Sequence, residues 1–95
     1  MTEQEAKSIN IKNTAYCYVL KCAWDGEEFN SICLERIFTK KRGVEEIRLA
    51  WWKDRRQTMR PADVDAIDWV RLFENAVKKG VFTDAEKLGM LKALK

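Results

Sequence analysis

A chain of 95 residues, 46% of them hydrophobic and ten aromatic, with a net charge of +3, is one folded domain with a modest core, since a chain of this size buries roughly two thirds of its unfolded surface. It contains no histidine, which removes the commonest general base, the commonest metal ligand and every catalytic triad built on an imidazole. Its four glycines are too dispersed to form a phosphate-cradling loop, and the adjacent acids Glu27-Glu28 and Glu45-Glu46 read as solvated surface, so a non-enzymatic protein without cofactor or metal is expected.

Residues 1–13, MTEQEAKSINIKN, are polar and unpatterned and are expected to form a mobile arm ahead of a single domain over 14–95. The arm lacks the apolar core of a signal peptide, and no apolar run approaches the roughly 20 residues of a membrane span. A cytoplasmic protein with no membrane contact is the expectation. From Ala15, AYCYVLKCAW is dense in aromatic and β-branched residues. Strand alternation puts Tyr16, Tyr18, Leu20, Cys22 and Trp24 on one side and Cys17, Val19, Lys21 and Ala23 on the other. The three cysteines, Cys17, Cys22 and Cys33, show no Cys-x-x-Cys spacing and read as free buried thiols. Asp25-Gly26 is a strong hairpin signal.

The next segment, FNSICLERIF, carries two patterns: Phe29, Ile32, Cys33 and Ile37 also make a helical stripe. Its place between the Asp-Gly turn and the loop Lys40-Lys41-Arg42-Gly43 favours a strand. EEIRLAWWK alternates Ile47, Leu49 and Trp51 against Arg48, Ala50 and Trp52; Asp54-Arg55-Arg56 then forms a turn, and Gln57 to Arg60 a short last strand ended by Pro61. Beyond Pro61 the period becomes helical. Asp65 is the expected N-cap of a helix along Trp69, Val70, Phe73, Ala76 and Val77, with Val64 stapled onto Trp69 and Lys78-Lys79-Gly80 at its end. Thr83-Asp84-Ala85-Glu86 is a capping box opening a second helix through Leu88, Leu91 and Leu94. The expected fold is α+β: a four-stranded antiparallel meander followed by two C-terminal helices packed on one face of the sheet.

Charge is unevenly placed on this frame. Residues 36–60 hold nine Lys or Arg against three acids, making the segment +6 and the remainder −3. Such a concentration attracts phosphate backbones or acidic protein surfaces. Within it lies LAWWKDRRQTMRP. Neighbouring strand residues point to opposite faces, so Trp51 belongs with Ile47 and Leu49 beneath the helices and Trp52 with Arg48 on the other face. If the helices cover one side only, Trp52 is exposed beside cations, the arrangement that stacks bases and follows phosphates in single-strand binders. The mixed surface of the 66–79 helix does not suit the major groove.

Glu46-Ile47-Arg48 followed by Trp51 and Trp52, then Arg60-Pro61, then Val64 with Trp69, resemble the positive-cofactor-four family of single-stranded-DNA-binding transcriptional coactivators, over roughly residues 30–79. PADVD stands where that family carries Lys-Gly, and the second helix is additional to it. The resemblance implies a curved meander that grips single strands, a role in transcription regulation, and contacts through Arg48, Trp52, Lys53, Arg55, Arg56 and Arg60. It also implies a homodimer formed on the apolar helix surface of Trp69, Leu72, Phe73 and Ala76. The loop cations Lys40, Lys41 and Arg42 join the expected nucleic-acid-binding set on charge, although such a tip is commonly only solvated. Trp and Arg also dominate protein hot spots, so a small phage- or mobile-element-type protein that inhibits a nucleic-acid-handling complex is the competing expectation. A structural subunit without nucleic acid is a third.

Overall fold

The computed structural model describes residues 1–95. Its elements are α1 (Glu3–Ile9), β1 (Lys12–Asn13), β2 (Cys17–Trp24), β3 (Ile32–Thr39), β4 (Glu45–Lys53), β5 (Arg56–Gln57), α2 (Ala66–Lys78) and α3 (Asp84–Ala93). The strands form one sheet in the order β1-β2-β3-β4-β5, each antiparallel to the next. No helix is long and apolar enough to cross a membrane.

The α+β class is as expected, with one more strand and one more helix, both from the segment read as an arm. Thr2 and Glu5 form a capping box: the Glu5 N–H donates to Thr2 Oγ1 at 3.2 Å and the Thr2 N–H to Glu5 Oε1 at 2.9 Å. The helix it opens presents one fully buried residue, Ala6, to Tyr18, Leu20 and Phe38. A methyl suffices there because three large side chains supply the rest of the contact.

Paired on both sides, β3 takes the strand alternative for FNSICLERIF, with Cys33 opposite Trp24 on β2 and Ala50 on β4. In β2 the register slips between Val19 and Lys21, with Leu20 as the extra residue of a bulge. A bulge inverts side-chain parity beyond it. Cys17 and Val19 therefore share a face with Cys22 and Trp24, not with Lys21 and Ala23, which corrects the uninterrupted alternation. The last strand is also shorter than expected, two residues at Arg56–Gln57 in place of Gln57 to Arg60. Thr58 adds one more bond, its N–H donating to the Trp51 carbonyl at 2.8 Å, and beyond it Met59 is 99% exposed.

Helices α2 and α3 lie on the face carrying Ala23, Leu34 and Leu49, where Leu72, Ala76, Val81 and Phe82 complete a core. Asp65 occupies the N-cap of α2 without making a side-chain capping bond, whereas the Thr83–Glu86 capping box of α3 forms as expected. The opposite face is closed as well. The sheet curls until residues of β1 and β5 line one cleft, and the hollow is filled by Cys17, Val19, Cys33, Ile37, Ala50, Trp52 and Phe29, the last from the β2–β3 loop. Strand parity puts Trp51 and Trp52 on opposite faces as expected, but the burial expected of each face is not found: Ile47 is 43% exposed, Trp51 is only partly buried and lies outside the core beneath α2, and Trp52, expected to be exposed, is 1% exposed. Its ring meets Phe29 edge-on at 5.3 Å and Trp24 at 6.3 Å between centroids.

Candidate nucleic-acid interface

Under Trp52 lies a charged residue that composition alone does not disclose. Glu35, with no exposure, stands opposite Arg48 across β3 and β4 and opposite Cys22 across β2 and β3. Arg48 donates to its Oε1, while Trp52 Nε1 donates at 3.3 Å and the Cys33 thiol at 3.2 Å to its Oε2. Buried carboxylates persist only when their charge and lone pairs are satisfied this fully. Arg48 and Trp52, both expected to contact nucleic acid, are thus internal partners of Glu35.

Cys22, Cys33 and Glu35 offer ligand atoms within 4.8 Å of one another. The set does not fit a metal ion, because the carboxylate already holds Arg48 and a bound cation would face that guanidinium. Contact with the Cys22 thiol, then burial and the Glu35 carboxylate, push the Cys33 thiol far above its ordinary value. These thiols are packing groups that also donate hydrogen bonds.

The remaining cations of the expected set divide by position. Lys40 donates to Asn13 Oδ1 at 2.6 Å with its Nζ 4.7 Å from the Tyr18 ring centre, and Arg42 pairs with Glu46 at 2.7 Å. Lys41 is exposed beside them at the tip of the β3–β4 turn. At the other end of the sheet Lys53, Arg55, Arg56 and Arg60 are all exposed, and none of them enters any of the eight ion pairs.

Local backbone explains how Arg55 is aimed. Asp54 and Arg55 have φ of 52° and 67°, and Lys53 pairs with Arg56, which defines a two-residue hairpin with both central residues left-handed, a geometry usually given to Asn-Gly. The turn is tied to the β2–β3 loop, since Arg55 N–H donates to the Phe29 carbonyl at 2.8 Å and Asp54 N–H to Asn30 Oδ1 at 3.1 Å. Phe29 itself sits at φ 56°, a strained position for a bulky residue. Its ring is held in the core between Trp24 and Trp52.

Arg55 Cζ lies 4.9 Å from the Phe29 ring centre and Lys12 Nζ, from the opposite edge of the sheet, 5.6 Å from the same centre. These two cations, with Arg56, border a cleft of about 400 Å³ between the edge strands, lined also by Asn13, Tyr16 and Gln57 and touching Trp52 at its base. Like charges that converge without an acid between them make an anion site. Lys12, Asn13 and Tyr16 escape sequence reasoning, because they belong to the supposed arm or to an assumed core face. Only the curl of the sheet brings them against Arg55 and Arg56.

The expected dimer surface is corrected in part. Leu72 and Ala76 have no exposure and face the chain's own sheet. Trp69 and Phe73, from the same helix, line a groove of about 430 Å³ between α2 and α3 with Val70, Met90 and Leu94. No family model matches the chain, and neither does any curated protein or solved structure.

Proposed function

We propose that the chain is a non-enzymatic binder of single-stranded nucleic acid, engaging it along the basic seam where the two sheet edges meet and not on an open sheet face. The observation that carries this is the convergence of Lys12, Arg55 and Arg56 on one cleft, from both edges and without acidic partners. Lys53 and Arg60 extend the positive rim. Phosphates follow such a rim, and the exposed Tyr16 beside it offers a face for a base, which an unpaired strand presents and a duplex does not. A regulatory role in transcription and self-association, both implied by the family resemblance, belong to the same proposal. With Leu72 and Ala76 committed to the sheet, the surface left to a second copy is the α2–α3 groove; sedimentation that stays monomeric at tens of micromolar removes that part.

The test is anisotropy of a labelled single-stranded oligonucleotide at two salt concentrations. With about four phosphates neutralised, the log-log slope is near −2.8 and affinity falls about fiftyfold from roughly 50 to 200 mM salt. Absence of binding at low salt, or equal affinity for duplex, refutes the proposal. The competing role, inhibition of a nucleic-acid-handling complex by binding its protein, has one observation in its favour, the apolar α2–α3 groove. It is preferred if nucleic acid fails to bind while a protein of such a complex binds and that binding is lost on changing Trp69, which lines that groove, to Ala.

A further inference from the structure

We infer that the seam between β1 and β5 is a seat for one nucleotide unit of the bound strand, its base lying on Tyr16 and its phosphate held between Lys12 and the Arg55–Arg56 pair. This rests on the single-strand reading above and adds to it a place, a stoichiometry of one base per chain and a stacking residue.

Size comes first. A cleft of about 400 Å³, open to solvent on one side, has the volume of a small-ligand pocket, roughly 300–1,000 Å³, so one nucleotide unit fits along it. Charge comes second. Lys12 and Arg55 approach the same Phe29 ring from opposite edges, and no acid pairs with either. Their mutual repulsion falls when a phosphate sits between them. Third is the aromatic surface. Tyr16 and Trp69 are the exposed aromatics of the chain, and Tyr16, 52% exposed, lines this cleft.

The turn that carries Tyr16 is rigid. Thr14 N–H donates to the Cys17 carbonyl at 2.9 Å, Cys17 N–H to Thr14 Oγ1 at 3.0 Å, and Lys40 N–H to the Tyr16 carbonyl at 3.0 Å. A ring on a fixed turn loses little freedom when a base stacks on it. Beside it, Asn13 has its side-chain oxygen engaged by Lys40 at 2.6 Å, leaving the NH₂ as a donor to a base edge or phosphate. Sugar-phosphate alone would use the cations and leave Tyr16 idle; a nucleotide uses both.

The test compares three probes on the intact chain: oligothymidylate, an abasic strand with the same number of phosphates, and thymidine 5′-monophosphate followed by amide NMR shifts. Tyr16→Ser, with unchanged circular dichroism, is expected to weaken oligothymidylate about tenfold and to leave the abasic strand unaffected, with Tyr16→Phe restoring wild-type affinity. Arg56→Ala is expected to weaken both strands alike. If Tyr16→Ser changes neither strand, or both equally, the nucleotide seat is overturned while the single-strand reading stands. If no strand binds but the mononucleotide shifts the Asn13 and Tyr16 amides, the seat is upheld for a free nucleotide and the single-strand reading fails. If no strand binds and the mononucleotide shifts nothing, both fall.

Discussion

Glu35 is the residue whose removal most sharply tests the structure. It is fully buried and receives Arg48, Trp52 Nε1 and the Cys33 thiol. Glu35→Ala leaves the Arg48 guanidinium, 18% exposed, as an uncompensated buried charge, a loss of about 3–5 kcal/mol, and strands the indole N–H for roughly 1–3 kcal/mol more. These terms overlap, so about 3 kcal/mol is the minimum, against a total of about 5–15 kcal/mol for a domain. At roughly 4–8 °C per kcal/mol, the melting temperature falls by more than about 12 °C. The double variant Glu35→Leu/Arg48→Met removes both charges and keeps the volume, and is expected to recover more than about 2 kcal/mol relative to the two single changes summed. Urea unfolding followed by tryptophan fluorescence and far-ultraviolet circular dichroism measures all four corners of the cycle. Single changes costing under about 1 kcal/mol, or a double variant no better than additive, refute the buried network.

Three further outcomes follow from particular contacts. Arg55→Gly is expected to leave stability within about 1 kcal/mol of wild type, because relief of a left-handed φ, about 1–2 kcal/mol, offsets a lost cation–π contact of roughly 0.5–1 kcal/mol. The same change is expected to lower the oligonucleotide salt slope by about 0.7, and an unchanged slope excludes Arg55 as a phosphate contact. Arg36 bridges β3 to α3 through Glu86 at 2.8 Å and also meets Glu45 at 2.8 Å; its guanidinium, then the Thr83 cap, hold the Glu86 carboxyl below its ordinary 4.5. A carboxyl lowered in the folded state stabilises fully above its unfolded value and loses that contribution as pH falls through the lower folded value. Protection of the α3 amides, taken relative to their intrinsic exchange rates, is therefore expected to fall as pH drops below about 4.5, and Arg36→Met to remove the larger part of that dependence, leaving the part due to the Thr83 cap. A neutral thiol reagent is expected to modify Cys22 at most in the native protein, since Cys17 and Cys33 are fully buried, and all three cysteines in denaturant; fast native labelling of Cys33 contradicts the packing of the hollow face.

What was legible in the sequence was local. Period-2 alternation found β4 and assigned Trp51 and Trp52 to opposite faces, and Thr83 to Glu86 marked the start of α3. The same Thr-x-x-Glu pattern stands at Thr2 to Glu5, but without an apolar stripe behind it the segment reads as an arm, because one alanine is all that the helix buries. The bulge at Leu20 left no trace in the composition, so face assignments held on one side of it and failed on the other. A cation in mid-strand needs an anionic partner, and for Arg48 Glu35 supplies it from the facing position on β3. Sequence order gives no register, and without register the pair cannot be named.

The filling of the hollow also decides where binding can occur. An open sheet face needs its aromatics unsatisfied, yet here Trp52, Trp24 and Phe29 pack on one another and the indole N–H is taken by Glu35. The curl that this packing stabilises brings the short edge strands β1 and β5 together, and with them cations 43 or more positions apart in the chain, Lys12 on one side and Arg55 and Arg56 on the other. A buried Trp52, which meets the cleft only at its base, is therefore part of the construction of the proposed seam. Replacing it disturbs binding only by loosening the sheet that holds the two edges in place, so the affinity lost on Trp52→Phe should track the stability lost, whereas that lost on Arg56→Ala should not.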